Sequence, residues 1–293
     1  MRELILIHGR SQQHKVAGKL KKAWIAALQK GMTNAGLQLQ IDDEQIHFPY
    51  YGDTLIQMIK GSETVVSVSV KGGKDTFTDA EAQLLDQVVW ELLATKRITK
   101  AQVSKEQTPK GAAVTPKGPL NWGVTLAGLR KLNDLGFGTL ALELCTRDVY
   151  RYVKDDSITR RINQGVARAF NDHEAVVVAH SLGTVVAYSM LSGMGGQKGW
   201  KIPTFITLGS PLAIRAVNQL IPSIGMPSCV GAWYNGRDPK DTVALFPLAP
   251  NHFPNLGIIA KNDIDNKSKN HHSIEGYLGD PDVARWIHTG LTK

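Results

Sequence analysis

The chain has 293 residues, 42% of them hydrophobic, and a formal net charge of +8. That suits one large α/β domain or two smaller ones around an ordinary core, and there is no internal repeat or low-complexity tract to suggest a solenoid or a disordered chain. The positive charge favours encounters with anionic surfaces or ligands, but charge without a reading surface does not specify nucleic acid.

Two cysteines, Cys145 and Cys229, fall far short of a disulfide framework and read as free thiols in a reducing compartment. The apolar run in "MRELILIHGR" is much shorter than the hydrophobic region of a signal peptide. No run approaches the roughly 20 apolar residues of a membrane helix, so the cytoplasm is the expected compartment.

In chain order, "ELILIHG" reads as a buried strand ending at Gly9. A helix follows in "KLKKAWIAALQKG", where Leu20, Trp24, Ile25 and Leu28 share a face and Gly31 is placed to terminate it. "EQIHFPYYGD" suggests a second strand running into a loop. From Thr54 to Leu140 the alternation of strand and helix lapses. Leu84, Leu85, Val88, Val89, Leu92 and Leu93 form a helical stripe, and "ETVVSVSV" reads as a small hairpin or cap. "KRITKAQVSKEQTPKGAAVTPKG" is polar, basic and helix-poor. The region is too long for an ordinary connection and reads as an inserted cap, a lid or a solvated loop within a single domain spanning 1–293.

Regular organisation resumes with a helix in "SITRRINQGVARAFND", a strand in "EAVVVAH" and a helix in "GTVVAYSML". Then come a strand in "TFITLGS", a helix around "LAIRAVNQLI", a strand in "CVGAWYNG" and a final helix in "GDPDVARWIH", which Asp280 can cap and Pro281 can open. Short apolar strands separated by helices predict a mostly parallel sheet covered on both faces.

The motif with chemical content is "AHSLG". Between a strand and a helix, it puts Ser181 where a hydroxyl can reach a substrate, with Gly183 allowing close packing and Leu182 offering a backbone N–H at a helix start. A nucleophilic serine needs a base, and the base an orienting carboxylate. Downstream, "NGRDPKDTVAL" offers Asp238 and Asp241, and "NHHSIEGYL" offers His271 and His272. Serine, aspartate, histidine is a recognisable chain order for such a triad. His272 is the favoured base, Asp241 the favoured acid and Asp238 its alternative. Gly9 lets the chain bend after the first strand, so that Arg10 can offer a backbone N–H beside that of Leu182 to a developing oxyanion. His8 reads as a structural or pocket-lining residue.

These residues resemble the α/β-hydrolase superfamily, in particular bacterial serine esterases and lipases. "AHSLG" is similar to the family's Gly-x-Ser-x-Gly elbow with alanine in first place, "HG" at 8 and 9 resembles its oxyanion loop, and "HHSIEGYL" resembles its histidine loop, with Tyr277 as a support. The resemblance implies an α/β-hydrolase fold and a carboxylesterase or lipase acting on a small-molecule ester or lipid, with no metal or organic cofactor. A catalytically inactive binding protein on the same fold is the contrasting expectation. The basic segment carrying Lys96, Arg97, Lys100, Lys105, Lys110 and Lys117 lacks a zinc finger or stacking aromatics, so no nucleic-acid partner is expected, whereas transient contact with an anionic surface is. No oligomeric state is specified.

Overall fold

A computed structural model of the protein describes residues 2–9, 16–52, 66–67, 76–106, 122–269 and 271–293. Its centre is a six-stranded sheet made of β1 (Glu3–Ile7), β2 (Ile46–His47), β5 (Glu174–His180), β6 (Lys201–Leu208), β7 (Val230–Gly236) and β8 (Ile259–Lys261). The order is β2-β1-β5-β6-β7-β8, and every neighbouring pair is parallel. A separate antiparallel pair joins β3 (Val66–Ser67) to β4 (Thr76–Phe77), within the span expected to form a hairpin or cap.

The sheet is buried on both faces, which is why its central strands are continuous apolar runs rather than alternating ones. Leu4, Leu6, Val176, Val178, Ile206 and Tyr234 point to a layer made by α1 (Ala17–Asn34), α9 (Ile274–Leu278) and α10 (Pro281–Thr292). Ile5, Ile7, Val177, Ala179, Phe205 and Trp233 point to the opposite layer. There they meet α2 (Asp79–Thr95), α5 (Thr139–Lys154), α6 (Asp156–Ala167) and α7 (Leu182–Met190). This is the α/β-hydrolase-like arrangement, a parallel sheet between helical layers with extra helices inserted between β2 and β5.

Several sequence expectations are corrected. Gly31 does not end α1. The helix continues to Asn34 and turns at Gly36, whose φ is +71°, while Gly31 lies so close to the Leu278 carbonyl that a side chain there would collide with it. The helix expected around "LAIRAVNQLI" is instead a 3-10 turn, Pro211–Ala213, followed by the four-residue α8 (Arg215–Asn218), because Ile214 between them is extended. The segment expected to be helix-poor contains α3 (Lys100–Glu106), and α4 (Trp122–Asp134) follows it; residues 107–121 lie outside the described part.

Leu84, Leu85, Val88, Val89, Leu92 and Leu93 of α2 are at most 4% exposed and pack in the same core as Val177 and Val185. That stripe is core rather than solvated excursion. Helix α5 was not legible as an element. Its apolar residues Leu142, Cys145, Val149 and Tyr152 keep a helical spacing and are buried, but Arg147, Asp148 and Arg151 are interleaved with them and are buried too. Arg147 pairs with Asp148, and Arg151 with Glu81 of α2.

Cys145 and Cys229 are free thiols. No helix among the described residues is long and apolar enough to cross a membrane.

Candidate active site

The site is built where β5 stops and α7 begins. Ser181 is the single residue between them, with φ 55° and ψ −129°, a backbone region that side-chain-bearing residues rarely occupy. Its surroundings hold it there. Its N–H donates to the Leu208 carbonyl at 3.1 Å, and its own carbonyl accepts from the amide and hydroxyl of Thr184 at 2.9 and 2.7 Å. Two glycines allow the approach of the neighbouring chain. A side chain at Gly9 would sit 2.6 Å from Ser181 Cβ, and one at Gly183 would sit 2.5 Å from the carbonyl oxygens of Ile7 and His8. The end of β1 therefore passes directly beside Ser181. Leu182, the first residue of α7, has an amide with no acceptor inside the helix. Arg10 lies outside the described residues.

His272 sits 91 residues further along the chain, yet its Nε2 is 2.9 Å from Ser181 Oγ. Its Nδ1 donates to Asp241 Oδ2 at 2.7 Å, which fixes the tautomer and leaves the Nε2 lone pair facing the serine hydroxyl. Asp241 is fully buried, and its other oxygen accepts from the amides of Val243 at 2.9 Å and Ala244 at 3.4 Å. The second aspartate has its own histidine. Asp238 accepts from His271 Nδ1 at 3.1 Å, from the Asn266 amide at 2.9 Å and from the Lys240 amide at 2.7 Å, so it pins the turn and the histidine loop. The two aspartates, three positions apart, and the two adjacent histidines thus sort into two pairs, of which only Asp241 with His272 reaches Ser181.

Three further residues complete the surroundings. His180 lies with its ring centroid 4.7 Å from that of His272 and donates from Nε2 to the His272 carbonyl at 2.9 Å. Gly209, with φ +56°, follows β6 beside Tyr277, Asp241 and His272. A side chain there would meet Tyr277 Cε2 at 3.0 Å, Asp241 Oδ2 at 3.1 Å and His272 Cε1 at 3.2 Å. His8 uses both ring nitrogens locally, accepting from the Tyr51 amide at 3.1 Å and meeting the Gly9 carbonyl at 2.6 Å, in keeping with a structural role. His180 was visible in "AHSLG" and Gly209 in "TFITLGS", but neither spacing nor residue type marks them as neighbours of the histidine loop.

Burial, and then the proximity of His272, hold the His180 imidazole well below its usual range. A histidine that takes a proton less readily when folded than when unfolded contributes stability that is complete above about pH 6.5 and is lost as the pH falls below it. The groups whose charge bears on it are His272 and His8. In His180→Gln, which keeps an N–H donor but cannot titrate, urea midpoints measured at pH 7 and pH 5 should differ less than in the parent protein; an equal difference would contradict this assignment.

What fold and site define together is an α/β protein with a hydrolase-like sheet and a triad-like serine, histidine and aspartate arrangement at the end of its central strands. Compared with known proteins, the chain matches no family model, no curated protein and no solved structure. Among the described residues no group of three or more His, Cys, Asp or Glu is arranged to hold a metal ion.

Proposed function

We propose that the protein is a serine hydrolase that cleaves carboxylic esters through an acyl-enzyme. The observation that carries this reading is the position of His272 between Asp241 Oδ2 at 2.7 Å and Ser181 Oγ at 2.9 Å, three groups from distant parts of the chain meeting in a relay with the tautomer needed for a base.

In this reading His272 Nε2 takes the proton of Ser181 as Oγ bonds to the ester carbonyl carbon. The carbonyl oxygen becomes negative and is met by the amide of Leu182; Arg10, the second donor expected from the sequence, lies outside the described residues. Collapse breaks the carbon–oxygen bond to the alcohol, which leaves with the proton from His272. Water, deprotonated by the same imidazole, then attacks the acyl carbon and releases Ser181 and a carboxylic acid. Asp241 keeps the ring oriented and stabilises its charged form. Gly9 and Gly183 serve by letting β1 and α7 close on the serine.

The test is a series of p-nitrophenyl esters from acetate to palmitate, hydrolysed by the protein and by Ser181→Ala. Turnover that disappears in the variant supports the assignment, and a preference for long acyl chains would mark a lipase. A folded protein that turns over none of the series would overturn the ester reading and favour a binding role for the same fold.

A further inference from the structure

We infer that Tyr277 is a positioning residue that fixes Asp241 through its phenol and tunes how strongly that carboxylate draws on His272; the inference rests on the hydrolase reading above. The phenol oxygen is 2.5 Å from Asp241 Oδ2, the same oxygen that accepts from His272 Nδ1 at 2.7 Å. It is also 3.2 Å from the Asp238 amide. An amide can only donate, so the phenol oxygen accepts there and its one proton is committed to Asp241. The phenol therefore competes with the imidazole for one carboxylate oxygen while tying that carboxylate to the backbone of the other aspartate.

The local fold keeps this donor in place. Tyr277 is fully buried, and burial, followed by the charge of Asp241, pushes its phenol well above the usual range, so it remains a donor at neutral pH. It stands on α9, whose capping residue Ser273 directly follows His272, so base and phenol are carried by one short stretch. Gly276 of the same helix packs on Asn266, which in turn donates to the Ser273 carbonyl and to Asp238. The absent side chain of Gly209 leaves the space in which phenol, carboxylate and imidazole meet. The titratable and charged groups around this junction are Asp241, Asp238 and Arg237 on the acid loop, His180 at the end of β5, and His272 itself.

The sign of the effect follows. Without the phenol proton, negative charge on Oδ2 is no longer shared with a second donor, and the protonated imidazole is favoured. In Tyr277→Phe the acidic limb of kcat/KM should move to higher pH by about half to one unit, with KM little changed. The low-field proton resonance of the bond between His272 Nδ1 and Asp241 should move further downfield. Replacing Tyr277 by 3-fluorotyrosine, a more acidic and stronger donor of nearly the same shape, should move limb and resonance the opposite way. A folded Tyr277→Phe protein with both unmoved would overturn the inference, and if that variant does not fold, unmoved values in the fluorinated protein would do so. The resonance does not need turnover. A parent protein that hydrolyses no ester but shows the opposed resonance shifts would thus sink the hydrolase reading and leave the junction established.

Discussion

Asp241→Ala should lower kcat/KM for an ester substrate by roughly 10³- to 10⁴-fold, while Asp238→Ala should lower it by less than about tenfold and show its main effect as a lower Tm. The two residues are only three apart in sequence, but their partners differ. Asp241 holds His272, and through it Ser181, whereas Asp238 holds His271 and the amides of Lys240 and Asn266. Removing Asp241 leaves the imidazole free to take the wrong tautomer or orientation. Removing Asp238 leaves the buried Asn266 amide without that acceptor, which costs about 1–3 kcal/mol without touching the reacting groups. Steady-state kinetics and thermal melts on the two variants separate these effects, and the opposite ranking of activities would exchange the two aspartates.

Gly183→Ala should strongly destabilise the protein. The new carbon would lie 2.5 Å from two backbone carbonyl oxygens at the end of β1. Neither can rotate away as a flexible side chain could, so α7 must separate from the sheet. Overpacking of this kind costs roughly 3 kcal/mol, or a fall in Tm of about 5 °C for a chain of this size. The same displacement draws Gly9 away from Ser181 and should reduce activity in the molecules that remain folded. An unchanged melting temperature would contradict the close contact of strand and helix.

Much of the fold was legible because a two-sided parallel sheet writes itself as apolar runs. "ELILI", "EAVVVAH" and "TFITL" each carry enough consecutive buried residues to be read as strands, and their helices carry clean stripes. Residue type and order single out Ser181 and the two later loops, and the fold brings Ser181, His272 and Asp241 within hydrogen-bonding distance. The preference for Asp241 over Asp238 agrees with the contact between Asp241 and His272, although neighbouring positions in a turn point in different directions and only the fold fixes which one faces the imidazole. Helix α5 was not legible because its buried face includes Arg147, Asp148 and Arg151, which form ion pairs in the interior, Arg147 with Asp148 and Arg151 with Glu81. Charges of that kind read as solvent-facing until their partners are known. His180 and Gly209 escaped because they act through contacts spanning 92 residues and more than 60 residues of sequence, to which local pattern is blind.

If Ser181 is an activated nucleophile, as proposed, covalent labelling should reveal it. The intact protein would be treated with a fluorophosphonate, weighed, and digested to locate the adduct. One adduct per chain is expected, on Ser181, absent from Ser181→Ala and formed far more slowly in His272→Ala. A folded protein that stays unmodified, or one that carries the adduct on another residue, would contradict it.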